Sequence, residues 1–260
     1  MRFTDNLRRA VDAPLASRGR VALDLATPET MLLQITTGHD FEPAISYAVV
    51  RDKWPEFEHE VKEEKPGSYT IRTGALTIEL TISPFHFRVT DSYGNVRFET
   101  AKDGLTFDGS RIVLTRPIEG GEAVYGLGEQ GENLNRNPGR YRIWNMDDPI
   151  AQPLKQYYCG IPFAVCAPGG ANGPHAFLLD NPGEAFFDLS MKELGRFRME
   201  TSLGDLRLWL FFEDTPAELL TQYTELTGRM KRPPLWSLGH QQCRWSYMND
   251  ARIRNVAREY

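Results

Sequence analysis

The chain has only three cysteines among its 260 residues and lacks the patterns that would assign it to several large classes of protein. Cys159, Cys166 and Cys243 are odd in number and show no C-x-x-C spacing, so neither a disulfide framework nor a cysteine zinc site is indicated. No apolar run approaches the length that crosses a bilayer, which argues against a membrane partner. The 30 Lys and Arg residues are outnumbered by 35 Asp and Glu, and this net charge of −5 argues against a nucleic-acid partner.

Residues 1–20 also lack the apolar segment that a secretory signal needs, because charged residues are spread throughout them. The expected location is therefore cytoplasmic. A hydrophobic share of 41% and a charged share of 25% are typical of a globular chain that buries its own core. The length is sufficient for one large domain or two small ones.

Short apolar or alternating runs, separated by turn residues, fill the chain from about residue 21 to 210. Apolar residues stand at every second position from Leu76 to Ile82, a period of two that predicts a strand with one face on a core. Residues 92–95 predict a hairpin turn. Further strands are expected at 112–114, 123–125, 176–179, 185–187 and 206–212. Since no helical pattern intervenes, the predicted fold class is mainly β, with an antiparallel β-sandwich over residues 1–212.

The pattern becomes helical after Asp214. Thr215 and Glu218 form a capping-box sequence with Pro216 at the first helical position, and Gly228 supplies a stop. One face of this helix is predicted to carry the apolar residues Leu219, Leu220, Tyr223 and Leu226. We assign residues 213–232 to a helical connector.

The last 28 residues resemble the opening of a parallel α/β architecture. Residues 233–247 predict a buried strand, and a helix pattern follows from Asn249. One face of this helix carries an apolar stripe, which consists of Ile253, Val256, Ala257 and Tyr260. No other segment of the chain is evidently suited to cover it. A single strand and helix of this kind cannot bury themselves, so residues 233–260 are expected to begin a larger, incomplete domain.

Residues 126–131 match the G-x-G-x-x-G pattern of dinucleotide sites. Such a site also needs a helix that opens at the third glycine, with its N-terminus facing the pyrophosphate. The residues that follow Gly131 have loop composition instead. We therefore expect no cofactor here, and interpret the glycines as marking a sheet corner or a close backbone approach.

Two segments have the composition of a sugar-binding site. Trp144 and Asp147 offer an apolar ring beside a carboxylate, the pair that covers a pyranose face and accepts hydrogen bonds from its hydroxyls. The alternative is that Asn145 and Asp147 stabilise a turn before Pro149. Arg244 and Trp245 stand at the end of the predicted final strand, where barrel enzymes build their active sites. The alternative is that Trp245 only packs at the end of that strand.

The remaining polar residues indicate no catalytic or metal site. His240 is expected to be a core histidine in the middle of the predicted strand, and the other four histidines are scattered without ligand spacing. The serines show no nucleophile-elbow context. No pair of carboxylates has the strand context of an acid/base couple, so the predicted catalytic residues in this chain are none.

Taken together, the ordered motifs of the second half resemble glycoside hydrolase family 31, the α-glucosidase family. The resemblance is carried by Val124–Glu129, Trp144–Asp147, Tyr157–Phe163, Asp214–Pro216, Tyr223–Arg229 and, most strongly, Pro233–Tyr247. It implies an N-terminal galactose-mutarotase-like β-sandwich followed by the first strand and helix of a (β/α)8 barrel. It also implies an α-glucoside or oligosaccharide as substrate.

The resemblance further implies roles for three residues. Asp147 would contact hydroxyls of the non-reducing-end sugar, Trp245 would border the same subsite, and Arg244 would support it. The Arg-Trp-x-Tyr form is more similar to the α-glucosidase branch than to the α-xylosidase branch. The family's two catalytic aspartates stand on later barrel strands, and neither motif occurs before Tyr260. The chain alone is therefore expected to be inactive.

Two other interpretations remain open at this point. The first is a non-catalytic carbohydrate-binding β-sandwich that works alone. The second is a sugar mutarotase, which would need a histidine and a carboxylate to converge in a pocket of the sandwich. The scattered histidines argue against the second.

Overall fold

A computed structural model describes residues 6–16, 18–43, 45–118, 121–146, 158–169, 172–190, 195–244 and 247–260. The chain divides into two compact units, residues 1–228 and 229–260. In its described part the first unit contains the strands β1 (Arg8–Pro14), β2 (Arg20–Leu25), β3 (Thr30–Thr36), β4 (Glu60–Lys65), β5 (Ser68–Arg72), β6 (Leu76–Ile82), β7 (Phe85–Asp91), β8 (Val96–Glu99), β9 (Leu105–Asp108), β10 (Arg111–Pro117), β11 (Ala123–Gly126), β12 (Arg140–Ile143), β13 (Phe163–Ala167), β14 (His175–Leu179), β15 (Ala185–Asp188), β16 (Arg196–Thr201) and β17 (Leu206–Phe212). Helix α1 (Pro216–Thr227) follows them.

These strands form three antiparallel sheets. The largest has the order β1-β2-β3-β17-β14-β13-β11, and the other two have the orders β12-β15-β16-β10-β9 and β4-β5-β6-β7-β8. The alternation predicted for residues 76–82 is observed as strand β6, with its apolar side chains buried. The expected turn at residues 92–95 joins β7 to β8. Mainly β architecture with several antiparallel sheets is thus confirmed.

The large sheet is buried on both faces, which explains why its central strands are apolar at nearly every position. In β17, Leu208 and Leu210 belong to the main core, where they join side chains from the other two sheets. Trp209 and Phe211, which alternate with them, belong to a second cluster on the opposite face. The two-residue period therefore places each side chain in one of two cores.

Helix α1 covers the second cluster. Thr215 and Glu218 form the predicted capping box, and Gly228 ends the helix with a φ of +88°. Leu219 and Leu226 are buried, and the ring of Tyr223 stacks on Phe163 with 3.9 Å between centroids. Leu220, which was predicted on the same face, is exposed, because it lies about 100° around the helix from Leu219, whereas Tyr223 and Leu226 lie within about 40° of it.

The second unit contains a 3-10 helix (Leu235–Leu238) and helix α2 (Asp250–Glu259). The strand predicted for residues 233–247 is not formed in the described part of this segment, and its residues are largely exposed. A strand needs a neighbour to pair with its backbone, and residues 229–260 provide none in their described part. Helix α2 confirms the predicted helix, with Asn249 as its N-cap and with Ile253 and Tyr260 exposed. The assignment of residues 233–260 to a barrel remains a prediction.

None of the helices described here is both long and apolar enough to cross a bilayer.

Candidate functional site

The segment that carries the predicted sugar contact begins at the end of β12. Asn145 lies two residues beyond this strand, and its Oδ1 accepts a hydrogen bond from the backbone N–H of Gly160 at 2.6 Å. The indole of Trp144 is half-exposed, and the guanidinium of Arg142 lies 5.5 Å from its ring centroid. Asp147 lies outside the described residues. The observed contact joins the two ends of the connection between β12 and β13, which belong to different sheets.

Gly160 leaves little space at this contact. A Cβ atom added to it would lie 3.2 Å from Asn145 Oδ1 and 3.3 Å from the backbone nitrogen of Trp144. These distances are tighter than ordinary van der Waals contact. Gly160 and residues 144–145 are therefore packed closely, with little space for a larger residue at position 160.

Two earlier glycines approach the backbone next to Gly160. Gly126 and Gly128 have φ values of +119° and +75°, and a Cβ atom on Gly128 would lie 2.3 Å from the carbonyl oxygen of Cys159. The N–H of Glu129 donates to that same carbonyl at 2.7 Å. The interpretation of these glycines as sites of close backbone approach is confirmed.

Two surface clefts adjoin the contact between Asn145 and Gly160. Their volumes are about 510 Å³ and 340 Å³, and both are lined by Asn145, Gly160, Pro162, Asn181 and Pro182. The larger cleft falls within the range of small-molecule sites. Its wall includes the exposed ring of Tyr47 and the buried carboxyl of Asp180.

Asp180 is held in place from several directions. Its Oδ1 accepts a hydrogen bond from the Ser46 hydroxyl at 2.7 Å, and burial raises the pKa of its carboxyl. The nearby guanidinium of Arg207 lowers this pKa and so partly offsets the effect of burial. The carboxyl therefore anchors the segment around Ser46 along the cleft wall.

A second polar cluster, which sequence reasoning missed, lies inside the sandwich. Glu122, Cys166 and His175 are buried, and their ligand atoms lie within 4.8 Å of one another. Arg116 joins them: its guanidinium forms a two-pronged ion pair with Glu122 and donates to Cys166 Sγ at 3.3 Å. Cys166 and His175 lie opposite each other in the paired strands β13 and β14. The cluster therefore depends on strand pairing and not on residues that are close in sequence.

The contacts of this cluster favour an internal ion pair over a metal centre. Arg116 already supplies a cation to two of the three ligands that a metal would use. Burial raises the pKa of the Cys166 thiol to about 12, so this side chain is a neutral thiol and not the thiolate that metals bind. Glu122, Cys166 and His175 therefore do not fit a metal ion while Arg116 binds two of them.

The cluster also bears on the mutarotase interpretation. The expectation that no histidine and carboxylate converge was wrong, since His175 and Glu122 meet inside the sandwich. The adjoining cavity, however, has a volume of about 70 Å³, far below the roughly 300 Å³ at which small-molecule pockets begin. Glu122 is also held by Arg116. This geometry does not suit proton transfer to a bound hexose.

The predicted residues of the second unit are described only in part. Arg244 is exposed, and Trp245 lies outside the described residues. The prediction that His240 is a core histidine was wrong: it is exposed, with its ring 4.9 Å from that of Tyr260. Without a strand around it, the apolar neighbours of His240 in sequence do not enclose it.

Comparison with known proteins identifies the family. Residues 20–188 match the family model described as the glycosyl hydrolase 31 N-terminal galactose mutarotase-like domain. The chain belongs to glycoside hydrolase family 31, and this part of it is the family's N-terminal mutarotase-like domain.

Particular relatives agree with this assignment. An α-glucosidase from Bacillus thermoamyloliquefaciens is 28% identical over 229 residues, which cover 84% of this chain and 28% of that enzyme. An α-xylosidase from Lactiplantibacillus pentosus is 31% identical over 45% of this chain and 15% of its own length. The structure of a family 31 dextranase from Flavobacterium johnsoniae, solved with isomaltotriose, superposes with a TM-score of 0.85 at 27% identity, covering 98% of this chain and 31% of that one. The chain thus spans about a third or less of these relatives.

Proposed function

We propose that this chain is the N-terminal portion of a retaining α-glucosidase that removes terminal α-linked glucose from oligosaccharides. Its part is to shape the sugar pocket, with Asp147 accepting hydrogen bonds from sugar hydroxyls and Trp245 and Arg244 bordering the same subsite. The observation that carries the proposal is the hydrogen bond between Asn145 and Gly160, which joins described residues on either side of the segment that contains Asp147. The α-glucosidase relative and the dextranase bound to isomaltotriose support a glucoside substrate.

In this proposal the glycosidic bond is cleaved by residues of the complete enzyme that are not among these 260. Retaining glycosidases need two carboxyl groups about 5–5.5 Å apart, one as nucleophile and one as acid/base. The clefts beside Asn145 offer recognition groups but no such pair among their described lining residues. The 260-residue chain alone is therefore expected to be inactive, and residues 233–260 are proposed to begin the catalytic barrel.

The test is the product of the complete coding sequence that contains these residues. It should hydrolyse an aryl α-glucoside, and NMR of the first sugar released should show the α-anomer. Release of the β-anomer, or hydrolysis of aryl α-xyloside in preference to α-glucoside, would overturn the proposal.

A second candidate function is a carbohydrate-binding sandwich that acts without a catalytic domain. It is favoured by the 510 Å³ cleft of the first unit, with its exposed Tyr47. It predicts measurable affinity of the 260-residue chain for maltose, lost in Asp147→Ala. Titration calorimetry that detects no binding by the unmodified chain would exclude it.

A further inference from the structure

The two surface clefts beside Asn145 share part of their walls and so form one continuous groove, with an exposed aromatic ring in each part. The shared lining residues are Asn145, Gly160, Pro162, Asn181 and Pro182. Tyr47 lines only the larger cleft and is 89% exposed, and Trp144 lines only the smaller cleft and is 45% exposed. The volumes of about 510 and 340 Å³ both exceed the roughly 300 Å³ at which small-molecule sites begin.

The backbone on both sides of Tyr47 is held in place, although its ring is exposed. The hydroxyl of Ser46 donates to the carboxyl of Asp180 at 2.7 Å. The same hydroxyl accepts hydrogen bonds from the N–H groups of Ala48 and Val49, at 3.1 and 3.0 Å. An aromatic ring on an ordered backbone loses little conformational entropy when it contacts a ligand. Tyr47 is therefore suited to bind a ligand in the larger cleft.

The groove offers neutral hydrogen-bonding groups but no available charge. Because Asn145 Oδ1 accepts from the N–H of Gly160, the two donors of the exposed Asn145 amide nitrogen face away from that contact and remain available to a ligand. The hydroxyl of Tyr47 is a further donor and acceptor. Asp180 is the only charged residue among the described residues that line the groove, and it is buried and bonded to Ser46. A charged ligand would find no counter-charge here, so the groove favours a neutral one.

A neutral sugar chain matches these features. A pyranose has apolar C–H faces that cover an aromatic ring, and hydroxyl groups that accept from an amide. Two rings in adjoining clefts suit an oligomer better than a single sugar. We propose that the groove binds an α-linked glucose oligosaccharide, with Tyr47 and Trp144 each covering one sugar ring and Asn145 donating to hydroxyl groups. The choice of α-linked glucose rests on the proposed function, whereas the groove itself does not.

The first test maps binding on the unmodified 260-residue chain by NMR and does not depend on the folding of a variant. Maltopentaose and isomaltopentaose, which differ in linkage, are titrated into the isotope-labelled chain. At least one of them should shift the side-chain amide signals of Asn145 and the backbone amide signal of Gly160, while the signal of Tyr93, in the turn between β7 and β8, stays in place. The absence of shifts with either sugar, or shifts confined to residues outside the groove, would overturn the proposal.

Matched variants then test the two rings. Tyr47→Ala and Trp144→Ala should each weaken the affinity of the chain for the bound sugar by about fivefold or more, because each removes one ring contact. Tyr93→Ala and Trp236→Ala are the controls, since both residues are more than 80% exposed and neither lines the groove. Their affinities should match that of the unmodified chain in titration calorimetry. Unchanged affinity in either groove variant would contradict the proposed role of its ring.

Another part of the complete enzyme is the alternative occupant of an exposed groove of this kind. Hydroxyl-radical footprinting of the complete enzyme distinguishes the two, with the oligosaccharide added immediately before exposure. Oxidation of Tyr47 and Trp144 should be extensive without sugar and should fall when the sugar is added. Rings that are already shielded without sugar would mean an internal interface, and the proposal would be wrong. Hydrolysis of an aryl α-glucoside is assayed on the same sample, so failure of the proposed function is recorded separately from failure of sugar binding in the groove.

Discussion

Both side chains of the ion pair between Arg116 and Glu122 are buried, so the loss of either one should be costly. Arg116→Met would leave the Glu122 carboxylate buried without its partner. The expected loss in the free energy of unfolding is about 3–5 kcal/mol, measured by urea denaturation. The double variant Arg116→Met/Glu122→Leu should recover part of this loss, because it removes the stranded charge.

An exposed ion pair provides the matched control. Arg72 lies 3.8 Å from Glu60, and both side chains are more than half exposed. Arg72→Met should change stability by at most about 0.5 kcal/mol, since exposed pairs contribute little. Equal losses in Arg116→Met and Arg72→Met would contradict the account of the buried pair.

His175 should make the stability of the chain depend on pH. Burial lowers its pKa well below the ordinary value of about 6.5, and the charges of Arg116 and Arg97 act in the same direction. Below pH 6.5 the unfolded chain therefore binds a proton that the folded chain does not, and stability falls as the pH drops, by up to about 1.4 kcal/mol per pH unit.

The comparison of the unmodified chain with His175→Phe between pH 7 and pH 5, at constant ionic strength, isolates this effect. Buried carboxyl groups whose pKa is raised, such as those of Asp24 and Asp180, gain stability on acidification and are common to both proteins. The variant should lose less stability than the unmodified chain over this interval. Parallel pH profiles would show that His175 is protonated in the folded state.

At the scale of single residues, the sequence alone could predict a site only from residues that stand close together along the chain. Trp144 and Asp147 are three residues apart, and an apolar ring beside a carboxylate predicts a sugar contact there. Arg116, Glu122, Cys166 and His175 are spread over sixty residues, and only the pairing of β13 with β14 and the packing of the sheets brings them together. A buried ion pair of this kind leaves no local pattern in the sequence.

At the scale of elements, helix α1 depends on its capping box. Thr215 accepts from the N–H of Glu218, and the Glu218 side chain accepts from the N–H of Thr215. Thr215→Ala should cost about 1 kcal/mol in the free energy of unfolding. Thr221→Ala, at an exposed position inside the same helix, should be neutral or slightly stabilising. A larger loss in Thr221→Ala than in Thr215→Ala would contradict this assignment.

Gly128 offers a test of the close backbone approach to Cys159. Alanine there would meet both a positive φ and the carbonyl oxygen of Cys159 at 2.3 Å. Gly94→Ala is the control, because Gly94 has a similar φ of +84° but nothing within 4 Å. Gly94→Ala should cost about 1–2 kcal/mol, the penalty of the backbone conformation alone, and Gly128→Ala should cost more. Equal urea midpoints for the two variants would contradict the steric argument.

Helices and strands were predicted correctly where a short stretch of sequence determines them. The two-residue period of β6 and the capping box of α1 are complete within a few residues, and both were predicted correctly. The strand expected at residues 233–247 was not formed, because a strand also depends on a neighbour that no local pattern supplies. The expected burial of His240 failed for the same reason.

At the scale of the whole molecule, the first unit has two hydrophobic cores on the two faces of one sheet. The mainly β class could be predicted from the number of short alternating strands. The order of strands within three sheets could not, because β17 pairs with β3 across more than 170 residues of sequence. Such pairings are decided by how the faces pack and leave no signal in the spacing of residues.

The central proposal is that this domain contributes directly to a glucoside-binding pocket through Asp147, in the segment that follows Asn145. The most direct measurement is kcat/KM for an aryl α-glucoside in the complete enzyme, compared between Asp147→Ala and the exposed control Asp52→Ala. The account predicts a loss of about tenfold or more for Asp147→Ala, as expected when a charged hydrogen-bond acceptor is removed, and no change for Asp52→Ala. Unchanged kcat/KM in Asp147→Ala, in an enzyme that hydrolyses the substrate, would contradict it.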